Sequence, residues 1–236
     1  MPTKYLYLIW SLYFAFVALW MYYKMPKYRK AMLVLWLAIF WSGPVSEYFW
    51  MTKDWWHPET ITWTIIWIED FIFSFAHVII PMFIYKLVFN KDTDRDFTKE
   101  NISIKNSFKN LILWFVIPFS LSWILFWFFH INSVISVFIG MLLSCIILVT
   151  LRKDLFIASL WWSILLVLIA IPAYLLLEYL SPWYIEKYWF MSRLTWILLL
   201  WIPIEDIIWY AIYWFMTGWA YEFIFDFKLI DRKNLA

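Results

Sequence analysis

Two acidic pairs interrupt a chain that is otherwise dominated by apolar side chains: Glu69 and Asp70 in IWIEDFIF (66–73), and Glu205 and Asp206 in IPIEDIIWY (202–210). A charged acid at the centre of a membrane helix costs about 2.5–3.5 kcal/mol on insertion scales. Burial beside a second acid favours the neutral form, and a neutral carboxylic acid kept away from water is poised as a general acid. Helical spacing supplies its neighbours. Asp70, Phe73, Ser74 and His77 fall close in angle; Glu205, Trp209, Ile212 and Met216 share a face, with Asp206, Tyr210, Tyr213 and Thr217 on the adjacent one. An acid among aromatic faces suits carbocation chemistry. The acid protonates a carbon–carbon double bond, and the π faces stabilise the cation while excluding water. Glu47 and Glu178, each followed by Tyr, read equally as members of such a site or as anchors at the outer helix ends. His77 is a candidate partner two turns from Asp70, whereas His57 and His130 read as interfacial.

The elements that must hold these groups follow from composition. The chain has 236 residues, 65% hydrophobic and 25% aromatic, well above the apolar fraction of soluble domains. Apolar runs approach the roughly 20 residues that cross a bilayer as a helix. The expected fold is an all-α polytopic membrane bundle of about seven helices, near 4–23, 31–51, 61–89, 110–130, 133–151, 155–180 and 193–220. The first segment lacks a small-residue cleavage site and reads as retained. Fifteen of the nineteen Lys and Arg residues, Lys86 among them, fall in the connections on one side, which predicts the N-terminus outside and the C-terminus in the cytoplasm. The polar stretch 90–109 reads as a solvated cytoplasmic linker.

The order of features repeats. Pro44, Glu47-Tyr48, a Trp-rich connection and Ile68-Glu69-Asp70 are followed by Pro172, Glu178-Tyr179, a second Trp-rich connection and Ile204-Glu205-Asp206. The Glu-Tyr pairs are 131 residues apart and the Ile-Glu-Asp triplets 136 apart. Helices 1–3 then correspond to helices 5–7. A shift of four helices preserves direction through the membrane, so the halves are parallel repeats about an axis along the membrane normal. The expected organisation is a first repeat over 1–90, a linker and fourth helix over 91–130, and a second repeat with a short tail over 131–236. Glu69 and Glu205 are expected at similar depth, facing each other across that axis.

Several classes are excluded. A net charge of +2 gives no nucleic-acid footprint. Cys145 is alone, no His cluster has metal spacing, and Gly43, Gly140 and Gly218 cannot build a G-x-G-x-x-G loop, so neither a metal nor a nucleotide cofactor is expected. Residues 194–220 hold no lysine for a retinal Schiff base, and no DDxxD-like cluster suggests a diphosphate enzyme. A proton-coupled transporter or channel also wants paired intramembrane acids, but the bulky aromatic flanks and scarce glycine argue against it. A non-catalytic carotenoid or lipid binder is a further alternative.

The doubled Ile-Glu-Asp, once preceded by Pro203, resembles the Pro-x-Glu-(Glu/Asp) signature of the lycopene cyclase domain family, integral-membrane carotenoid cyclases built from two homologous halves. The resemblance is to the fused form and covers nearly the whole chain. Trp67 stands where the first motif's Pro is expected, and the aromatic pair after the acids is partly present as Phe71 and Phe73, then Trp209 and Tyr210. The resemblance implies a cofactor-independent isomerase acting on a bilayer-dissolved carotenoid, with the lipid bilayer and other carotenoid-pathway enzymes as its surroundings. An acid protonates the terminal double bond of an acyclic end, the next double bond closes a six-membered ring, and proton loss ends the reaction. Glu69 and Glu205 are the expected acid and base, with Asp70 and Asp206 tuning them. Phe73, Trp209, Tyr210, Tyr213, Glu47 and Glu178 are expected to contact substrate.

Overall fold

A computed structural model describes residues 2–62, 64 and 68–232. Trp67, the departure from the motif noted above, lies outside them. The first helical hairpin is α1 (Leu6–Lys24), a 3-10 turn (Pro26–Tyr28) and α2 (Arg29–Ile39), which runs on through α3 (Ser42–Ser46), a π-helical turn (Glu47–Met51) and α4 (Thr52–Asp54). Then come α5 (Ile68–Val88), strand β1 (Lys91–Thr93), and α6 (Ile104–Leu111), joined by a second π turn (Ile112–Val116) to α7 (Ile117–Trp127). A second hairpin has α8 (Ser133–Leu151), a 3-10 turn (Lys153–Leu155) and α9 (Phe156–Leu180). The short α10 (Tyr184–Tyr188), strands β2 (Leu198–Leu199) and β3 (Ile202–Pro203), α11 (Ile204–Thr217), α12 (Ala220–Phe225) and β4 (Leu229–Asp231) complete the described chain.

Among the described residues, six helical stretches are long and apolar enough to cross a membrane: Thr3–Lys24, Pro26–Asp54, Ile68–Val88, Ile104–Trp127, Ser133–Leu151 and Lys153–Leu180. This is consistent with an all-α membrane bundle. The seventh expected span differs. In place of a helix from 193, the chain makes a β2–β3 hairpin, and α11 begins at Ile204. Pro203 supplies the reason: it has no N–H to give a preceding turn and caps α11 at φ −54°. Upstream, Leu200 and Trp201 carry positive φ, the backbone of a tight hairpin turn. Among the described residues α5 runs from Ile68, with Glu69 and Asp70 at that end, and in α11 Glu205 and Asp206 occupy the first turn.

The two hairpins match locally at an offset of 127. Their joints, Met25 (φ −121°, ψ 63°) and Arg152 (φ −138°, ψ 63°), share one conformation, and each leads into a 3-10 turn. Helices α5 and α11 meet, and positions 136 apart touch there: the Tyr213 hydroxyl donates to the His77 carbonyl at 3.0 Å. Lower down, Lys86 and Glu222, again 136 apart, form a buried ion pair. On the opposite side an antiparallel bridge joins Trp56 to Trp189, with the His57 N–H on the Tyr188 carbonyl and the Phe190 N–H on the Trp55 carbonyl, both 2.8 Å.

Close packing depends on Gly140, where α8 crosses α7. An added Cβ would overlap the Ser122 hydroxyl and the Pro118 carbonyl oxygen. Gly140→Val is therefore expected to lower stability by about 1–3 kcal/mol, read as a lower melting temperature of the detergent-solubilised protein.

At the end away from the acids, β1 pairs with β4. Asp92 on β1 accepts from Lys27 Nζ and Tyr28 Oη, each 2.5 Å, and from the Thr93 N–H at 2.7 Å. Burial pushes its carboxyl up, and these hydrogen bonds outweigh burial and hold it below the ordinary 3.8. A depressed folded value contributes stability above the unfolded value that is lost as pH falls through the folded one. Asp92→Asn is thus expected to melt lower than wild type at neutral pH. The gap should close as pH falls below about 4, measured by thermal unfolding across a pH series.

Candidate active site

Between the two hairpins lies a cavity of about 160 Å³. Three carboxyls reach it from separate segments: Glu47 from the π turn, Asp70 from α5 and Asp206 from α11. Its wall is otherwise largely aromatic, including Trp10, Phe73, Trp209, Tyr210 and Tyr213, and continues toward Trp114 and Phe119 on the π turn and α7 that follow α6. All three acids are buried.

Glu47 is aimed by local backbone geometry. A π turn widens the helix by one residue, a distortion frequent at functional sites, and Glu47 opens one. Its Oε1 accepts from Trp56 Nε1 at 3.1 Å, while Oε2 has no hydrogen-bond partner among the described residues. Of the two readings of Glu47, site member or helix-end anchor, its place in the cavity wall agrees with the first. Asp70 Oδ1 accepts from the Tyr7 hydroxyl at 2.6 Å. Asp206 is the most fully held: Trp55 Nε1 reaches Oδ1 at 2.9 Å, and Tyr174 Oη and Trp189 Nε1 reach Oδ2 at 2.9 and 2.7 Å. The Trp56–Trp189 bridge thus presents three indole N–H groups to Glu47 and Asp206. Three donors on one carboxyl fix its orientation in the cavity wall.

Glu69 and Glu205 occupy a different place. Neither lines the cavity. Glu69 Oε1 accepts from the Ile61 N–H at 3.0 Å, and Glu205 Oε1 from the Thr195 N–H at 2.7 Å. Each pins the loop leading into its own helix, so they do equivalent work on separate loops. Glu178 is also off the cavity; it accepts from the Trp183 and Ile185 N–H groups at 2.9 and 2.8 Å, fastening the turn that begins α10. The expected contacts Phe73, Trp209, Tyr210 and Tyr213 all line the cavity, as does His77. Trp209 and Tyr213 stack with ring centroids 4.8 Å apart and planes 5° from parallel.

The donors to the acids, Tyr7, Trp55, Trp56, Tyr174 and Trp189, were not singled out in the sequence. The Trp-rich connections were its one signal of them. Among the described residues, no three His, Cys, Asp or Glu side chains group as ligands for a metal ion. Comparison with protein-family models, characterised proteins and solved structures finds no match to this chain.

Proposed function

We propose that the protein is a membrane-embedded cyclase that closes the acyclic end of a long polyene, a carotenoid of the lycopene type, by acid-catalysed isomerisation. The observation that carries this reading is the convergence of Glu47, Asp70 and Asp206 on one cavity walled by aromatic rings. Carboxyls that share an apolar cavity do not all ionise at acceptable cost, so one retains its proton. Glu47, with one oxygen unpartnered, is assigned that role.

Glu47 protonates the terminal double bond, and a tertiary cation results. The next double bond attacks it, forming the carbon–carbon bond of a six-membered ring and moving the cation into the ring. Loss of a ring proton leaves a new double bond, so the product is an isomer with no net redox change. The faces of Trp10, Phe73, Trp209, Tyr210 and Tyr213 stabilise the cation. Asp206, fixed by its three donors, and Asp70 supply negative charge where positive charge develops. Glu69 and Glu205 hold the loops before α5 and α11 in place. The wider arrangement belongs to the same proposal: seven membrane segments, two parallel repeats, the N-terminus outside, and a substrate drawn laterally from the bilayer.

The test is expression in a bacterium that accumulates lycopene, with pigments separated and identified. Cyclic pigment is expected. Unchanged lycopene with the protein present in the membrane would reject lycopene as substrate, and no new pigment in strains accumulating longer acyclic carotenoids would reject the cyclase reading altogether.

A further inference from the structure

A cation formed in this cavity must lose a proton, and the three acids are committed elsewhere: Glu47 to donation, Asp70 and Asp206 to hydrogen bonds from Tyr7, Trp55, Tyr174 and Trp189. His77 is not. Its Nδ1 lies 3.0 Å from the Phe73 carbonyl oxygen. A carbonyl oxygen only accepts, so Nδ1 carries the hydrogen, and in the neutral ring Nε2 bears a free lone pair. That Nε2 has no hydrogen-bond partner among the described residues, although the residue is 4% exposed and lines the cavity. A buried polar atom left unpaired calls for an explanation, and catalysis is one of the few.

We propose that His77 is the base that takes the proton from the cyclised cation and thereby selects which C–H bond breaks. This rests on the cyclase reading. The C–H electron pair becomes the new ring double bond, and the proton forms the Nε2–H bond. The imidazolium then returns that proton to the Glu47 carboxylate, so the protein ends each turnover unchanged.

The geometry suits both steps. His77 lies seven residues beyond Asp70 on α5, about 10 Å along the axis, so the acid end and the base bracket a space that admits a six-membered ring. The Phe73 ring lies over the imidazole with centroids 3.6 Å apart, and Phe14, Tyr210 and Tyr213 follow at 5.0, 5.9 and 6.0 Å. Those π faces stabilise an imidazolium when it forms. The Tyr213 hydroxyl holds the His77 backbone from the other half of the protein.

The experiment uses membranes containing full-length wild type, His77→Gln or His77→Phe, supplied with acyclic substrate in D2O. At equal protein level, both variants are expected to form cyclic pigment about a hundredfold more slowly. Recovered acyclic pigment should still carry deuterium, because Glu47 continues to deuterate the substrate, and the open cation, turning about the C–C bond beside its new C–HD group, also reverts by losing the protium. Residual product with the ring double bond at another position has the same meaning, since another base then breaks another C–H bond. Wild-type rate and double-bond position in either variant overturn the proposal. Loss of product together with loss of deuterium exchange also overturns it, because His77 then acts in binding or folding alone. Wild type without cyclic product is a separate outcome, the failure of the cyclase reading itself.

Discussion

Glu47→Gln is expected to abolish cyclic pigment in lycopene-accumulating cells, with a rate loss of about a hundredfold to ten-thousandfold, the range typical of removing a general acid. Glutamine keeps the size of the side chain, and its amide oxygen still accepts from Trp56 Nε1, now at 3.1 Å from Glu47 Oε1. What it cannot do is deliver a proton to carbon. The fold has little reason to change, because the other carboxyl oxygen holds no partner that would be lost among the described residues. Protein level and melting temperature near wild type should accompany the missing product.

The same change at Glu69 and Glu205 is the control that makes this result specific. Both carboxyls accept one backbone N–H, from Ile61 and Thr195, and an amide oxygen serves that purpose nearly as well. Glu69→Gln and Glu205→Gln are expected to retain cyclisation within about tenfold, the consequence of weakening a single charged hydrogen bond. Pigment analysis of the three variants side by side decides the assignment. Full activity in Glu47→Gln, with product lost in Glu69→Gln, would return the acid to the first residue of the pair.

The difference between those two assignments is also the difference between what one strand of residues discloses and what folding adds. Helical periodicity was enough to put Phe73, His77, Trp209, Tyr210 and Tyr213 beside the acids, because their spacing is fixed within α5 and α11. It was not enough to say which member of Glu-Asp faces the cavity. In α11 that depends on where the helix begins, and the start is set by Pro203. Glu47 was ambiguous for a similar reason: an α-helical reading of 31–51 has no means of anticipating the π turn that directs it inward. Of the donors to the acids, Tyr174, Tyr7 and Trp55 lie 32, 63 and 151 residues from the group they hold, so no local pattern reveals them. Lys86 is a correction of another kind. Counted with the cytoplasmic loop cations, it is fully buried, since its partner lies on α12, far along the chain.

Lys86→Met is expected to destabilise the protein by about 3–5 kcal/mol, the cost of leaving one charge of a buried pair uncompensated. Lys86 Nζ lies 2.5 Å from Glu222 Oε1, and both side chains are 0% exposed. The ammonium also donates to the Met82 carbonyl at 2.8 Å and sits 5.0 Å from the Phe83 and Tyr221 ring centroids. Glu222→Gln should cost a similar amount, because it strands the lysine. The double variant Lys86→Met with Glu222→Leu should recover most of the loss, since an apolar pair of similar volume carries no desolvation cost. Thermal unfolding in detergent of wild type, both single variants and the double gives the coupling directly. A single variant as stable as wild type would mean that the remaining charge finds water or a proton, and the pair would then not hold α5 against α12. The pair joins α5 to α12, elements far apart in the chain, so its opposite charges favour this packing of the two helices over others, a use of buried ion pairs in setting partner and register. The pair lies 16 residues from Asp70 along α5, about 24 Å at the rise of a helix. The double variant should therefore still cyclise its substrate, which separates the ion pair that joins α5 to α12 from the distant site.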